Sequence, residues 1–131
     1  RGTVRNILVK TVQRMHEVYE TEPEDVRAAF APCIHACCFE TDDDVYEALT
    51  EAYGAAVCGR HIERKEPKWH IDLVGLNREL LLEAGMKTEH IDVSCPCTMC
   101  MSDKFWSHRK TGGRRGVQGA FIVLPPKEGA R

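Results

Sequence analysis

The sequence is short of most features that mark a specialised environment. No stretch approaches the run of roughly 18 apolar residues that a membrane-spanning helix needs, and no signal peptide opens the chain, so neither a membrane nor a secretory route is expected. A basic excess is missing too. Lys and Arg number 18 against 20 Asp and Glu, a formal net charge of -2, which argues against a nucleic-acid or anionic-membrane binder. Neither a Walker A loop nor a G-x-G-x-x-G turn occurs, which removes the common nucleotide-binding folds. Internal repeats, low-complexity tracts and linkers are absent. The seven cysteines are odd in number, two are adjacent, and none sits in a regular scaffold spacing. They read as reduced thiols in a cytoplasmic protein rather than as a disulfide framework.

What is present is an ordinary globular balance, 43% apolar and 29% charged, in 131 residues, enough for one domain. The chain opens on Arg1 instead of Met and enters a helical pattern at once, as a trimmed start or a part of a longer protein would. Val4, Ile7, Leu8, Thr11, Val12, Met15 and Val18 recur at helical spacing and predict an amphipathic helix over residues 3–19, broken by Thr21, Glu22 and Pro23. Residues 26–31 are apolar and precede Pro32, which favours a buried strand. Thr41 to Asp44 resembles a capping box opening a helix to about Tyr53, with Val45, Leu49 and Ala52 on its buried stripe. Residues 54–68 show no periodicity and read as loop, and 69–72 as a brief strand. Leu73, Leu76, Leu80, Leu81 and Ala84 mark a further helix that Gly85 stops. Residues 90–94 alternate as a half-buried strand does, and 117–124 predict a last strand ended by Pro125-Pro126. The order αβαβαββ predicts a single α+β domain.

The stretch PCIHACCFET, residues 32–41, carries three cysteines and a histidine within six residues. Cys33, His35, Cys37 and Cys38, together with Cys95, Cys97 and Cys100, contain enough ligand types for a tetrahedral zinc site. Cys97 and Cys100 form a C-x-x-C, a genuine but common ligand spacing; if extended, the first cluster would put alternate side chains on one side. A thioredoxin-like redox pair at Cys97 and Cys100 lacks the long helix that should follow it. A Cys–His nucleophile pair could use His35, His61, His70, His90 or His108 as base. Each of these chemistries competes with free thiols packed as small apolar groups. Ser107-His108-Arg109-Lys110 with Arg114-Arg115, spaced by Gly112, Gly113 and Gly116, is suited to an anion such as phosphate, and equally to a solvated turn.

Several stretches together resemble the YfiH-type multicopper polyphenol oxidase (laccase-domain) family, associated with purine nucleoside phosphorylase activity. Arg1-Gly2-Thr3 is similar to the tail of that family's His-Ala-Gly-Trp-Arg-Gly motif. Residues 31–40, APCIHACCFE, are similar to its Gly-Pro-x-Ile-Gly-x-Cys-Cys-Phe-Glu loop, with Ala31, His35 and Ala36 in place of the commonest Gly, Gly and Pro. Ile71-Asp72-Leu73 through Asn77 resembles Leu-Asp-Leu-x-x-x-Asn. Cys97-Thr98, then Phe105-Trp106-Ser107-His108-Arg109, and finally Arg115-Gly116 complete the order, with Gln118-Gly119 replacing a usual Met-Ala.

The resemblance implies an α+β layered sandwich with mixed sheets and flanking helices, of which residues 1–131 would be the C-terminal portion. It implies phosphorolysis of adenosine or inosine to base and ribose 1-phosphate, with adenosine deamination as a companion activity. Copper-dependent polyphenol oxidation is the alternative, as is a non-enzymatic zinc module on Cys33, Cys37, Cys97 and Cys100. The family's zinc ligands, two His and one Cys, fall upstream of the point matching Arg1, so no metal ligand is expected here, and Cys37 and Cys38 are expected to shape the pocket loop. Phosphorolysis needs cations to hold phosphate, for which Arg1 and Arg109 are the substrate-binding candidates. No nucleic-acid or membrane partner is implied.

Overall fold

A computed structural model of the chain describes residues 1–123. Its helices are α1 (Ile7–Tyr19), α2 (Asp43–Cys58), α3 (Leu73–Glu83) and α4 (His108–Thr111); its strands are β1 (Ala28–Ala29), β2 (Glu40–Thr41), β3 (Ile62–Lys65), β4 (Lys68–Ile71) and β5 (Ile91–Asp92). Strands β2, β4 and β3 form an antiparallel sheet in that order, while β1 and β5 pair in parallel. The expected α+β class, with mixed pairing and flanking helices, holds.

Helix α3 organises the interior. The Asp72 side chain caps it by accepting the Gly75 N–H at 2.9 Å. A side chain at position 75 would collide with that carboxylate and come within 2.9 Å of His61 Nδ1, so only glycine fits. The far end closes in a Schellman motif: Met86 N–H reaches Leu81 O, Gly85 N–H reaches Leu82 O, and Gly85 takes φ +95°. Between these ends the apolar residues face two ways. Leu76 and Leu80 pack with Leu49, Cys58 and Ile71, whereas Leu81 packs with Val12, Val26, Met86 and Ile91. One helix therefore joins both cores, each buried aliphatic chain contributing about 1.5–3 kcal/mol.

Several boundaries differ from the sequence reading, each for a physical reason. Helix α1 starts at Ile7 rather than at residue 3, because Asn6 is left-handed (φ 53°) and the preceding turn is held from outside. Tyr53 Oη donates to Thr3 O, and Asn77 Nδ2 donates to Thr3 Oγ1 at 3.2 Å. The capping box is not formed: Asp42 is the N-cap without a side-chain cap bond, its carboxylate pairing with Lys68, while Asp43 accepts from Trp69 Nε1 (2.7 Å) and Arg64 (2.8 Å). Helix α2 is regular to Tyr53, kinks at Gly54 (φ 80°), and adds a turn to Cys58. Strand β3 lies in the segment read as loop. Its sequence IERK carries one apolar residue, so no alternation announces it.

Strand pairing in residues 26–31 is limited to Ala28 and Ala29, extended by one bond from Phe30 N–H to Asp92 O. Residues 117–123 form no strand: Phe121 is 96% exposed, and no partner strand runs beside them among the described residues. Leu124 and the two prolines lie outside the described residues. No described helix is long and apolar enough to cross a membrane.

Candidate functional site

Two segments that bear cysteines are laced together by their backbones. Cys33 N–H donates to Pro96 O (3.3 Å) and Thr98 N–H to Cys33 O (2.9 Å), an isolated parallel bridge between Cys33 and Cys97. Just beyond, the chain turns sharply: Cys38 and Phe39 N–H groups both donate to His35 O at 2.9 Å, and His70 Nδ1 bonds Ala36 O at 2.7 Å. None of Ala31, His35 and Ala36 takes a positive φ, so the loop forms without the glycines that the resembled motif carries.

The turn sorts the sulfur atoms into two groups. Cys37, Cys38, Cys97 and Cys100 bring their sulfurs within 4.8 Å of one another, and Cys33, His35 and Cys95 form a second group. Either donor set permits a metal. The set read from sequence, Cys33 with Cys37, Cys97 and Cys100, is corrected. Alternation along an extended strand would have put Cys33 and Cys37 on one side, but the turn at His35 brings Cys38 in and leaves Cys33 beside Cys95, 3.9 Å away. Of the histidines considered as bases, His35 is the one that hydrogen-bonds a cysteine among the described residues, with Nε2 3.5 Å from Cys95 Sγ.

The thiols of the four-sulfur group are unequal. Burial and the Cys100 thiol raise Cys37, and the same causes raise Cys38 further. Burial pushes Cys97 up as well, but backbone N–H groups of Cys100, His35 and Met99 aimed at its sulfur outweigh that and leave it at about 6. In the second group, burial and the neighbouring Cys95 push Cys33 up to about 12.

Arg109 lies on the other side of the same loop. It enters on α4, whose first turn is capped by Ser107 Oγ accepting the Lys110 N–H at 3.3 Å. Its Nη1 donates to Glu40 O at 2.8 Å, and the guanidinium sits 5.6 Å from the centre of the Phe39 ring. These contacts hold it at the rim of a ≈ 200 Å³ cleft lined by Ile34, Phe39, Thr98, Ser107 and His108. Gly116 is needed nearby, because a Cβ there would press to 2.9 Å on the Trp106 indole. Arg1 occupies the turn before α1, its carbonyl accepting the Arg5 N–H. No hydrogen bond joins Arg1 to Arg109 among the described residues.

A larger cleft of ≈ 500 Å³ opens beside Cys37 and is lined by Arg60, His61, Glu63, His70 and Asp72. Composition gave no hint of its pairing. Glu79 accepts from Arg60 and from His61, and the guanidinium above all, then the imidazole, hold its carboxyl at about 2. An unfolded Glu titrates near pH 4.3, so this pairing stabilises the fold fully above that pH and is lost as pH falls towards 2. Glu79→Gln should therefore lower the melting temperature at pH 7, the gap from wild type narrowing below pH ~4. A gap that stayed constant down to pH ~2 would refute the pairing.

Residues 1–125 match the family described as multi-copper polyphenol oxidoreductase laccase. The chain belongs to that family. It is 31% identical over 124 residues to the purine nucleoside phosphorylase YlmD of Bacillus subtilis, covering 95% of this chain and 44% of that protein. It is 34% identical over 119 residues to adenosine deaminase RL5 of an unknown prokaryotic organism, covering 88% of this chain and 44% of that protein. Among solved structures, YlmD from Geobacillus stearothermophilus superposes with a TM-score of 0.77 at 32% identity, over 86% of this chain and 42% of that one. The chain thus spans less than half the length of these relatives.

Two motifs of the laccase family now have a physical reading in this chain. In the Asp72-to-Asn77 stretch, Asp72 caps α3 and Asn77 Nδ2 donates to Leu73 O (2.6 Å) and to Thr3, so the helix holds the Arg1-Gly2-Thr3 turn in place. In the PCIHACCFET loop, backbone bonds place Phe39 and Glu40 under Arg109.

Proposed function

We propose that this chain is the C-terminal portion of a cytoplasmic enzyme that splits adenosine and inosine with inorganic phosphate and deaminates adenosine as a companion reaction. The observation that carries this reading is Arg109: one guanidinium nitrogen is committed to Glu40 O and the guanidinium carbon lies over the Phe39 ring, so the cation is held at a cleft of a size for a small anion. Relatives named for phosphorolysis and for adenosine deamination support it.

In phosphorolysis a phosphate oxygen attacks the anomeric carbon of the ribose while the bond to the purine nitrogen breaks. The base leaves with the bonding electron pair and takes up a proton. Arg109, with Arg1 as the second candidate, would hold phosphate against the sugar and offset its charge, leaving the barrier to positioning and electrostatics. Deamination replaces the exocyclic amine by water and releases ammonia. The resemblance implies a zinc whose ligands would lie before Arg1; bound there, it would supply the activated water that deamination needs. Copper-dependent phenol oxidation, which the family description names, has less support, because the six histidines of this chain are scattered and not set at paired spacing.

Product analysis of the intact protein tests the reading. Adenosine with phosphate should give adenine, ribose 1-phosphate and some inosine, and omission of phosphate should leave inosine alone. Oxidation of a phenol with copper and oxygen, without any purine product, would favour the oxidase reading instead.

A further inference from the structure

We propose that Cys37, Cys38, Cys97 and Cys100 bind one zinc ion as a structural tetrathiolate site, separate from the catalytic metal that the resemblance implies. A tetrahedral zinc with bonds of about 2.3 Å separates its sulfurs by about 3.8 Å. The sulfur of Cys100 lies 3.6 Å from that of Cys37 and 3.5 Å from that of Cys38, and all four lie within 4.8 Å of one another. Four sulfurs this close enclose a single ion and leave no room for an iron–sulfur cubane. A lone disulfide would need only two of them.

Backbone hydrogen bonds set the scaffold of the site. The Cys33–Cys97 backbone bridge fixes one segment to the other, the turn on His35 O presents Cys37 and Cys38 together, and Met101 N–H closes on Cys97 O at 3.0 Å. Sulfur-only tetrahedral sets select zinc over the harder cations. The consequence reaches the proposed site, since the ion would staple the loop bearing Phe39 and Glu40 to the segment leading into Ser107 and Arg109.

The intact protein, purified without oxidant, should carry one zinc equivalent in addition to that of the catalytic site; this additional equivalent disappears in Cys97→Ser and in Cys100→Ser but persists in Cys33→Ser, which alters the second donor group. Cobalt in its place should show intense thiolate charge-transfer absorption that those two variants lose. Should the variants fail to fold, wild-type protein decides. Alkylation mapped by mass spectrometry should find Cys37, Cys38, Cys97 and Cys100 protected as a set with zinc and reactive after chelation. Unchanged zinc content in Cys100→Ser, loss of the ion in Cys33→Ser, an isolated disulfide to Cys100, or alkylation indifferent to chelation would each overturn the site. None of these outcomes depends on turnover of nucleosides, so the zinc site and the proposed function fail separately.

Discussion

Leu76→Ala will cost about 2–5 kcal/mol of folding stability, read as a shift of the urea midpoint at constant slope. Leu76 is 0% exposed on the face of α3 that packs against Leu49, Cys58 and Ile71, so truncation leaves a cavity where helix α2, strand β4 and helix α3 meet. Leu8→Ala supplies the contrast: its side chain is at the surface of α1, and its loss should shift the midpoint little. Equal effects from the two substitutions would mean that α3 does not hold the interior together.

Arg109→Ala should raise the apparent KM for phosphate roughly 10- to 100-fold while leaving that for the nucleoside near wild type. The magnitude follows from a charged hydrogen bond contributing about 1.5–3 kcal/mol, with every 1.4 kcal/mol amounting to a factor of about ten. Arg109→Lys should recover part of the loss, since it keeps the charge but not the fork that spans Glu40 O and an anion together. If both variants raise the two KM values alike, Arg109 shapes the loop and does not bind phosphate.

Much of the architecture was legible where local chemistry decides it. Gly85 marks the end of α3 because a positive φ is the property of one residue, whereas Asp72, read as the end of a strand, is the cap of that helix. The start of α1 was not legible, because Tyr53 and Asn77, distant in sequence, hold Thr3 out of the helix. Strand β3 was hidden by its polar composition; it exists because β4 pairs with it residue by residue from Ile62–Ile71 to Lys65–Lys68. The same limit governs the cysteines. Their number and spacing were plain, yet which four converge depends on a turn at His35 and on the strand-like bridge between Cys33 and Cys97. Arg109 could be picked out from its motif, but its orientation could not, since Glu40 and Phe39 reach it across the fold.

The most direct test of the central claim is the rate of hypoxanthine release from inosine by the intact protein as inorganic phosphate is raised from zero. The proposed phosphorolysis predicts no release without phosphate, a saturable rise with it, and one ribose 1-phosphate for each base freed. Release of base at a rate indifferent to phosphate, with free ribose as the co-product, would contradict it.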